Sequence, residues 1–248
     1  MPRPTTPRLS PERIRRVGLE IIDAEGLEAL SMRRLADQLG VRAASLYNHV
    51  ATKEELLHEI ADDVMASVDV SDFEQDWTTG LRSWARSYRA ALVAHPNLVP
   101  FLAYGPARRE NALRRADAVH GGLTSAGWPQ RYATMIGAST KYLVVGSAMG
   151  SFSGGFPDDA DLYGDRFPHL NKAHLLREHA AEIDAASFEL ALEALIDGLQ
   201  KQYRELGGDE RMRRESQEAP DDPADAAEVS AVREDMDRAT RRDQGYGS

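Results

Sequence analysis

An all-α fold is what this sequence predicts, on three observations. Apolar residues recur at three- and four-residue steps through most of the chain, no segment shows a convincing strand alternation, and helix start and stop signals bracket the periodic stretches. At 248 residues with 42% hydrophobic content, the chain can bury a proper core, either as one elongated domain or as a small domain joined to a larger one.

Residues 1–10, rich in Pro, Thr and Arg, read as a flexible basic arm. Ser10-Pro11-Glu12-Arg13 then supplies an N-cap, a proline at the first helical position and an early acid. Ile14, Val17, Ile21 and Ile22 follow at helical spacing, and Gly26 stops the helix. A second start at Ser31 leads through Leu35, Ala36 and Leu39 to Gly40 as a left-handed terminator, and a short third helix runs from about Arg42 to Tyr47. Thr52-Lys53-Glu54-Glu55 is a capping box, opening a longer helix with Leu56, Leu57, Ile60, Val64 and Met65 inside. After the polar break "VDVSDFEQD", helices are predicted over roughly 76–94, 96–103, 107–126, 129–150, 170–179 and 184–204, with a turn-rich loop at 153–168. Residues 206–248 read as a disordered charged tail in which Val229 to Arg241 could form a transient helix.

Composition removes several function classes. There is no Cys, so disulfides, thiolate zinc sites and cysteine nucleophiles are excluded. The N-terminus has no apolar signal segment, and the longest apolar run, Tyr142 to Phe152, is shorter than the ~18 residues of a membrane span. A cytoplasmic protein with no membrane partner is the simplest reading. The net charge of -10 argues at first against nucleic acid, yet residues 1–53 carry +3 whereas 206–248 carry -5. Only the first segment is basic.

That segment contains "SMRRLADQLGVRAASLYNHVATKEEL", two short helices around a turn. As an ordinary helical hairpin its polar face would simply be solvated. As a helix-turn-helix, Leu35, Leu39, Val41 and Leu46 turn inward while the third helix offers Arg42, Ala43, Ser45, Tyr47 and Asn48 outward. Small residues at 43–45 let the backbone approach a groove, and hydroxyl, amide and guanidinium donors suit bases and phosphates. The hairpin reading explains none of these choices.

On these residues the segment resembles the TetR family of one-component transcriptional repressors, over about residues 11–65. The resemblance implies that Tyr47, His49 and Lys53 hold the phosphate backbone, Lys53 from the N-terminus of the fourth helix, and that Arg33 reaches the groove edge. It puts Arg42, Ala43, Ser45 and Asn48 on the base-reading side. The tetracycline repressors of the family carry glutamine and proline where this chain has Ala43 and Ala44, so its operator must differ, with Arg42 and Asn48 the candidates for guanine and adenine. For His49 a buried, hydrogen-bonded imidazole between helices is the other reading. The family further implies a double-stranded operator read by a homodimer, with half-sites about 34–36 Å apart.

Two segments could pair the subunits. "RYATMIGASTKYLVVGSAMGSF" aligns Ala133, Gly137, Thr140, Val144, Ser147 and Gly150 along one side, and the later helix carries Phe188, Leu192, Leu195 and Leu199 as an apolar seam. Either could instead be intramolecular core. "AHPNLVPFLA" with "FELALEALIDGL" resembles the C-terminal domain of the tetracycline-repressor class over about residues 78–204, which implies dimerisation through these helices. It also implies a ligand cavity whose occupancy pivots the fourth helix. Trp84, Tyr88, Phe101, Tyr104, Met135, Ser139 and Tyr142 could line it, although aromatics at helical spacing are also ordinary core. The division expected is a reading domain at 11–51, a connecting helix at 52–70 and a ligand-binding and dimerisation domain at 71–205. Leu102 and Gly150 fall where tetracycline repressors place a histidine and an acid for the drug-bound magnesium, which argues against that ligand.

No cofactor, metal or enzymatic activity is expected. His58-Glu59 opens a zincin pattern, but Asp62 stands at the second histidine position. His169, His174 and His179 recur every five residues, which spreads them around a helix. His95, beside a proline, reads as a helix-junction residue before it reads as a ligand. The alternative function is a helical dimerisation module without sequence-specific DNA binding.

Overall fold

The computed structural model describes residues 9–104, 110–164 and 166–207. Most of the N-terminal arm and the tail from residue 208, with its 229–241 segment, lie outside the described residues. The chain divides into two compact units, residues 1–201 and 202–248. In the first, no strand occurs among the described residues. In the second, Leu206 and Gly207 form a turn after the last helix.

The N-terminal helices follow their caps. Helix α1 (Pro11–Glu25) starts where Ser10 Oγ accepts the Arg13 amide at 3.3 Å. Helix α2 (Met32–Leu39) starts where Ser31 Oγ accepts from Arg34 N at 3.1 Å, and it ends on Gly40 at φ 69°, ψ 33°. That left-handed turn is sterically costly for a residue with a Cβ. It turns the chain into α3 (Ala43–Leu46). Helix α4 (Lys53–Met65) is capped by Thr52 Oγ1, which accepts from Glu55 N at 3.0 Å, while the Glu55 carboxylate accepts from Ala51 N at 3.0 Å. Ile14, Ile21, Ile22, Leu30, Leu35, Leu46, Leu56 and Ile60 are almost completely buried, and Leu39 and Val50 lie with them in the core. At Gly18 an added Cβ would stand 2.8 Å from Ile60 Cδ1, so α1 and α4 are in close contact.

The larger helical region holds α5 (Trp77–Ala94), α6 (Val99–Tyr104), α7 (Glu110–Ser125), α8 (Gln130–Ala148), the single-turn α9 (Ala160–Tyr163) and α10 (Ala180–Glu205). Its joint to α1 is polar. Asn97 Nδ2 donates to the carbonyls of Ile22 and Asp23 at 3.0 and 3.1 Å, satisfying the last turn of α1. His95 Nδ1 lies 2.9 Å from the Asp23 carboxylate, so this imidazole sits at the junction of helices.

Three elements differ from those expected. The polar break holds Phe73, buried where α5 and α7 each offer a glycine, Gly80 and Gly122. The segment expected as a helix at 170–179 is a 3₁₀ turn over Ala173–His179, from which Arg177 reaches back to the carbonyls of Gly154 and Phe156. The expected loop at 153–168 includes α9, where the Tyr163 hydroxyl donates to Pro157 O at 3.0 Å.

Helices α5 and α10 are clasped by charge. Arg82 binds Glu193 through Nε at 3.0 and 3.1 Å and Nη2 at 2.8 Å, and Arg86 binds Glu189 at 2.7–3.1 Å. Arg89 lies 5.0 Å over the Phe188 ring. The Arg82 hydrogen bonds hold the Glu193 carboxyl below its ordinary value.

Asp76 caps α5, accepting from Thr79 N at 2.9 Å and from the Thr78 hydroxyl. Partial burial opposes its ionisation, but these hydrogen bonds prevail and its pKa lies below the ordinary carboxyl value. Its stabilisation is complete above the unfolded value of ~3.9 and disappears as pH falls through the lower folded value. Asp76→Ala is therefore expected to lose about 1 kcal/mol at pH 7, with a smaller deficit at pH 3. Urea melts at the two pH values measure both; equal deficits would contradict the assignment.

Candidate nucleic-acid interface and ligand cavity

Around α3 the inward side is Leu46 and the rest is open. Arg33, Arg42, Ala44, Tyr47, Asn48 and His49 are exposed, with Tyr47 at 54%, while Ala43, Ser45 and Lys53 are half-buried. His49 is thus not a buried link between helices. The other arginines of this region separate by pairing. Arg15 is bound to Asp63 and faces Glu59, Arg16 meets Glu20 at 3.4 Å, and Arg34 is paired with Glu25. Among the described residues, the side chains of Arg33, Arg42, Tyr47, Asn48, His49 and Lys53 make no hydrogen bond or ion pair. Donors left free on one face can serve phosphates and base edges without first breaking an internal bond.

A cavity of about 200 Å³ lies between α4, α5, α6, α7 and α8. Three of the expected residues line it: Trp84 and Tyr88 from α5 and Phe101 from α6. The Trp84 and Tyr88 rings are 6.3 Å apart, and Phe101 lies 5.1 Å from the His58 ring. Leu102 also belongs to the wall, as do Met65, Val68 and the charged Asp62, Arg115 and Lys141. Burial pushes the Tyr88 phenol up, with the Arg115 charge opposing, so it stays a neutral hydroxyl.

The remaining expectations on α8 and α10 change sides. Met135, Ser139 and Tyr142, expected in the cavity, stand on the exposed face of α8 and do not line it; Tyr142 is 75% exposed. Of Tyr104, which ends α6, the side chain is outside the described residues. Ala133 and Val144, expected at a subunit contact, are fully buried within the protomer together with Ile136 and Thr140. Gly137 points toward α7, where a Cβ would stand 3.8 Å from His120 Cε1. Phe188 and Leu192 are likewise buried inside the protomer, and Leu195 and Leu199 are half-buried. The exposed side of α10 carries Leu190, 75% exposed, which the seam passed over. The physical reason lies in α8 itself. Its C-terminal stretch, Leu143 to Ala148, is apolar or small all round and marks no inner face, so its packing partners choose one.

Sequence reasoning missed His58, Asp62, Arg115 and Lys141 as wall residues. His58 and Asp62 are four apart on α4 and so share a face, and Lys141 is a lone cation leading into an apolar stretch; both were visible signals.

Comparison with known proteins agrees with this geometry. The family model for bacterial regulatory proteins of the tetR family matches residues 14–60, and that for the tetracyclin repressor-like C-terminal domain matches residues 71–203. An HTH-type transcriptional regulator of Saccharopolyspora erythraea is 30% identical over 167 residues, 67% of this chain and 71% of that protein. The class A tetracycline repressor from transposon 1721 of Escherichia coli is 30% identical over 204 residues, 78% of this chain and 92% of that protein. Among solved structures, ActR of Streptomyces coelicolor in complex with actinorhodin superposes with a TM-score of 0.62 at 30% identity, covering 79% of this chain and 98% of that one. The free donors around α3, the cavity behind α4 and these matches have one reading: the chain belongs to the TetR family of ligand-responsive, DNA-binding transcriptional regulators.

Proposed function

We propose that this protein is a cytoplasmic, homodimeric repressor, without enzymatic activity, that leaves a near-palindromic operator when a small organic molecule enters the cavity behind α4. The observation that carries the reading is the segregation of charge around α3. Arg15, Arg16 and Arg34 are engaged by acids, whereas Arg33, Arg42 and Lys53 are not. A dimerisation module would have no use for that set of free donors. In this reading residues 11–51 read DNA, 52–70 connect, and 71–205 bind the effector and the second subunit. That ActR has been crystallised with actinorhodin and with (S)-DNPA supports a small organic effector for the same fold.

Pairing through the outward faces of α8 and α10 is the geometry this reading requires. Met135 and Tyr142 on the exposed side of α8, and Met149 at its C-cap, recur every seven residues, with the small Ser139 and Gly146 between them. Leu102 and Gly150, at the positions where the resemblance places the histidine and the acid of tetracycline repressors, favour a ligand without magnesium.

Selection of bound duplexes from a random pool, with a salt-controlled titration of the winner, tests the assignment. An enriched inverted repeat is expected. Tyr47→Ala and Lys53→Ala should weaken binding to all sequences alike, and Lys53→Ala should reduce the salt dependence. Asn48→Ala should cost about 1–3 kcal/mol at one base pair and relax preference there. Three variants indistinguishable from wild type would refute the interface.

A further inference from the structure

The cavity wall contains an ionic arrangement that a purely apolar effector would leave unused. Asp62, on α4, is shared between two groups of α7: Arg115 Nη2 at 3.5 Å and Asn111 Nδ2 at 2.7 Å. Both members of the ion pair are only 17% exposed. The Arg115 contact is single and long, so the guanidinium retains donors that the carboxylate does not satisfy. Lys141 of α8 lines the same cavity, half-buried and, among the described residues, without a hydrogen bond or ion pair. The wall therefore holds one carboxylate and two cations among rings and aliphatic side chains. An uncompensated ammonium in such surroundings favours an anion, and the faces of Trp84, Tyr88 and Phe101 favour a planar aromatic body.

We infer that the effector is an aromatic acid whose anionic group is taken by Lys141 and Arg115, and that it releases α4 by drawing Arg115 away from Asp62. The inference rests on the regulator reading above, and it adds the effector's chemical class and the contact through which it acts. A ligand carboxylate can accept two parallel hydrogen bonds from Arg115, which Asp62 does not do. Once Arg115 turns to the ligand, Asp62 retains Asn111 alone, and the charge linking α4 to α7 is gone. Helix α4 begins at Lys53, beside the reading face, so loosening its far half bears on where that face stands.

The probes are 2-naphthoate and its neutral amide, 2-naphthamide, two molecules of nearly the same shape, titrated against full-length protein by tryptophan fluorescence and by displacement from the selected duplex. Wild type is expected to bind the acid about 10–100-fold more tightly than the amide, the worth of a charge-assisted hydrogen bond. Lys141→Gln should reduce that preference several-fold, Arg115 still contributing, and Lys141→Arg should restore it. Asp62→Asn, freeing Arg115, should bind the acid more tightly than wild type while holding the duplex less tightly without it. Equal binding of acid and amide, binding of neither, or an Asp62→Asn protein that responds like wild type would each overturn the inference. The regulator reading fails separately, if the protein retains no duplex from the pool.

Discussion

Glutamate at Leu190 or at Tyr142 is expected to turn the protein into a monomer that has lost most of its hold on the operator. Both side chains are 75% exposed in the isolated protomer, on helices whose opposite faces already form its core. Placing a charge there costs the folded protomer little, because the site is solvated until a partner covers it. In the dimer the carboxylate would be buried near its own symmetry mate, with the repulsion of like charges added to desolvation. A lone reading head then loses the advantage of a tethered second one, roughly 10²–10⁴-fold in affinity. Sedimentation equilibrium together with duplex titration measures both consequences. A double variant that stays dimeric would show that pairing uses another surface.

The second large effect concerns Phe73. A methyl group added at Gly80 would stand 2.5 Å from Phe73 Cγ and 2.8 Å from its Cα, and one at Gly122 would stand 2.5 Å from Phe73 Cβ. Phe73 Cα and Cβ do not move with the rotamer, so a rotamer change cannot clear these contacts. Alanine in place of glycine ordinarily favours a helix by about 1 kcal/mol. Overpacking of this kind costs about 1–3 kcal/mol, and at Gly80, where the backbone itself is met, it outweighs the gain. Gly80→Ala and Gly122→Ala are therefore expected to lower the urea midpoint, and Phe73→Ala should partly restore the Gly80→Ala protein relative to additivity. Alanine variants more stable than wild type would refute the wedge. Because Phe73 fits between α5 and α7, which supply Trp84, Tyr88 and Arg115 to the cavity, the same variants should also weaken effector binding.

Much of the molecule was legible from local signals. Ser10, Ser31 and Thr52 each cap the helix they were expected to cap, because a side-chain oxygen three residues ahead of an orphan amide needs no distant partner. Gly40 terminates α2 for an equally local reason. The exposed character of Arg42, Tyr47 and Asn48 followed from the lack of apolar residues to bury there. The "VDVSDFEQD" break concealed a core phenylalanine, since one apolar residue among charges has no periodicity and its burial depends on glycines 7 and 49 positions later.

The N-terminal caps, the segregation of basic residues toward the first segment and the family itself are properties of the linear chain, because each arises from residues a few positions apart or from a motif of fixed spacing. The orientation of α8, the Asp62–Arg115 link and the free Lys141 in the cavity wall arise from groups tens of residues apart that meet only after folding. The end of α8, apolar or small all round, has no preferred side in its own pattern. Its neighbours α5 and α7 therefore chose which residues became core and which remained exposed.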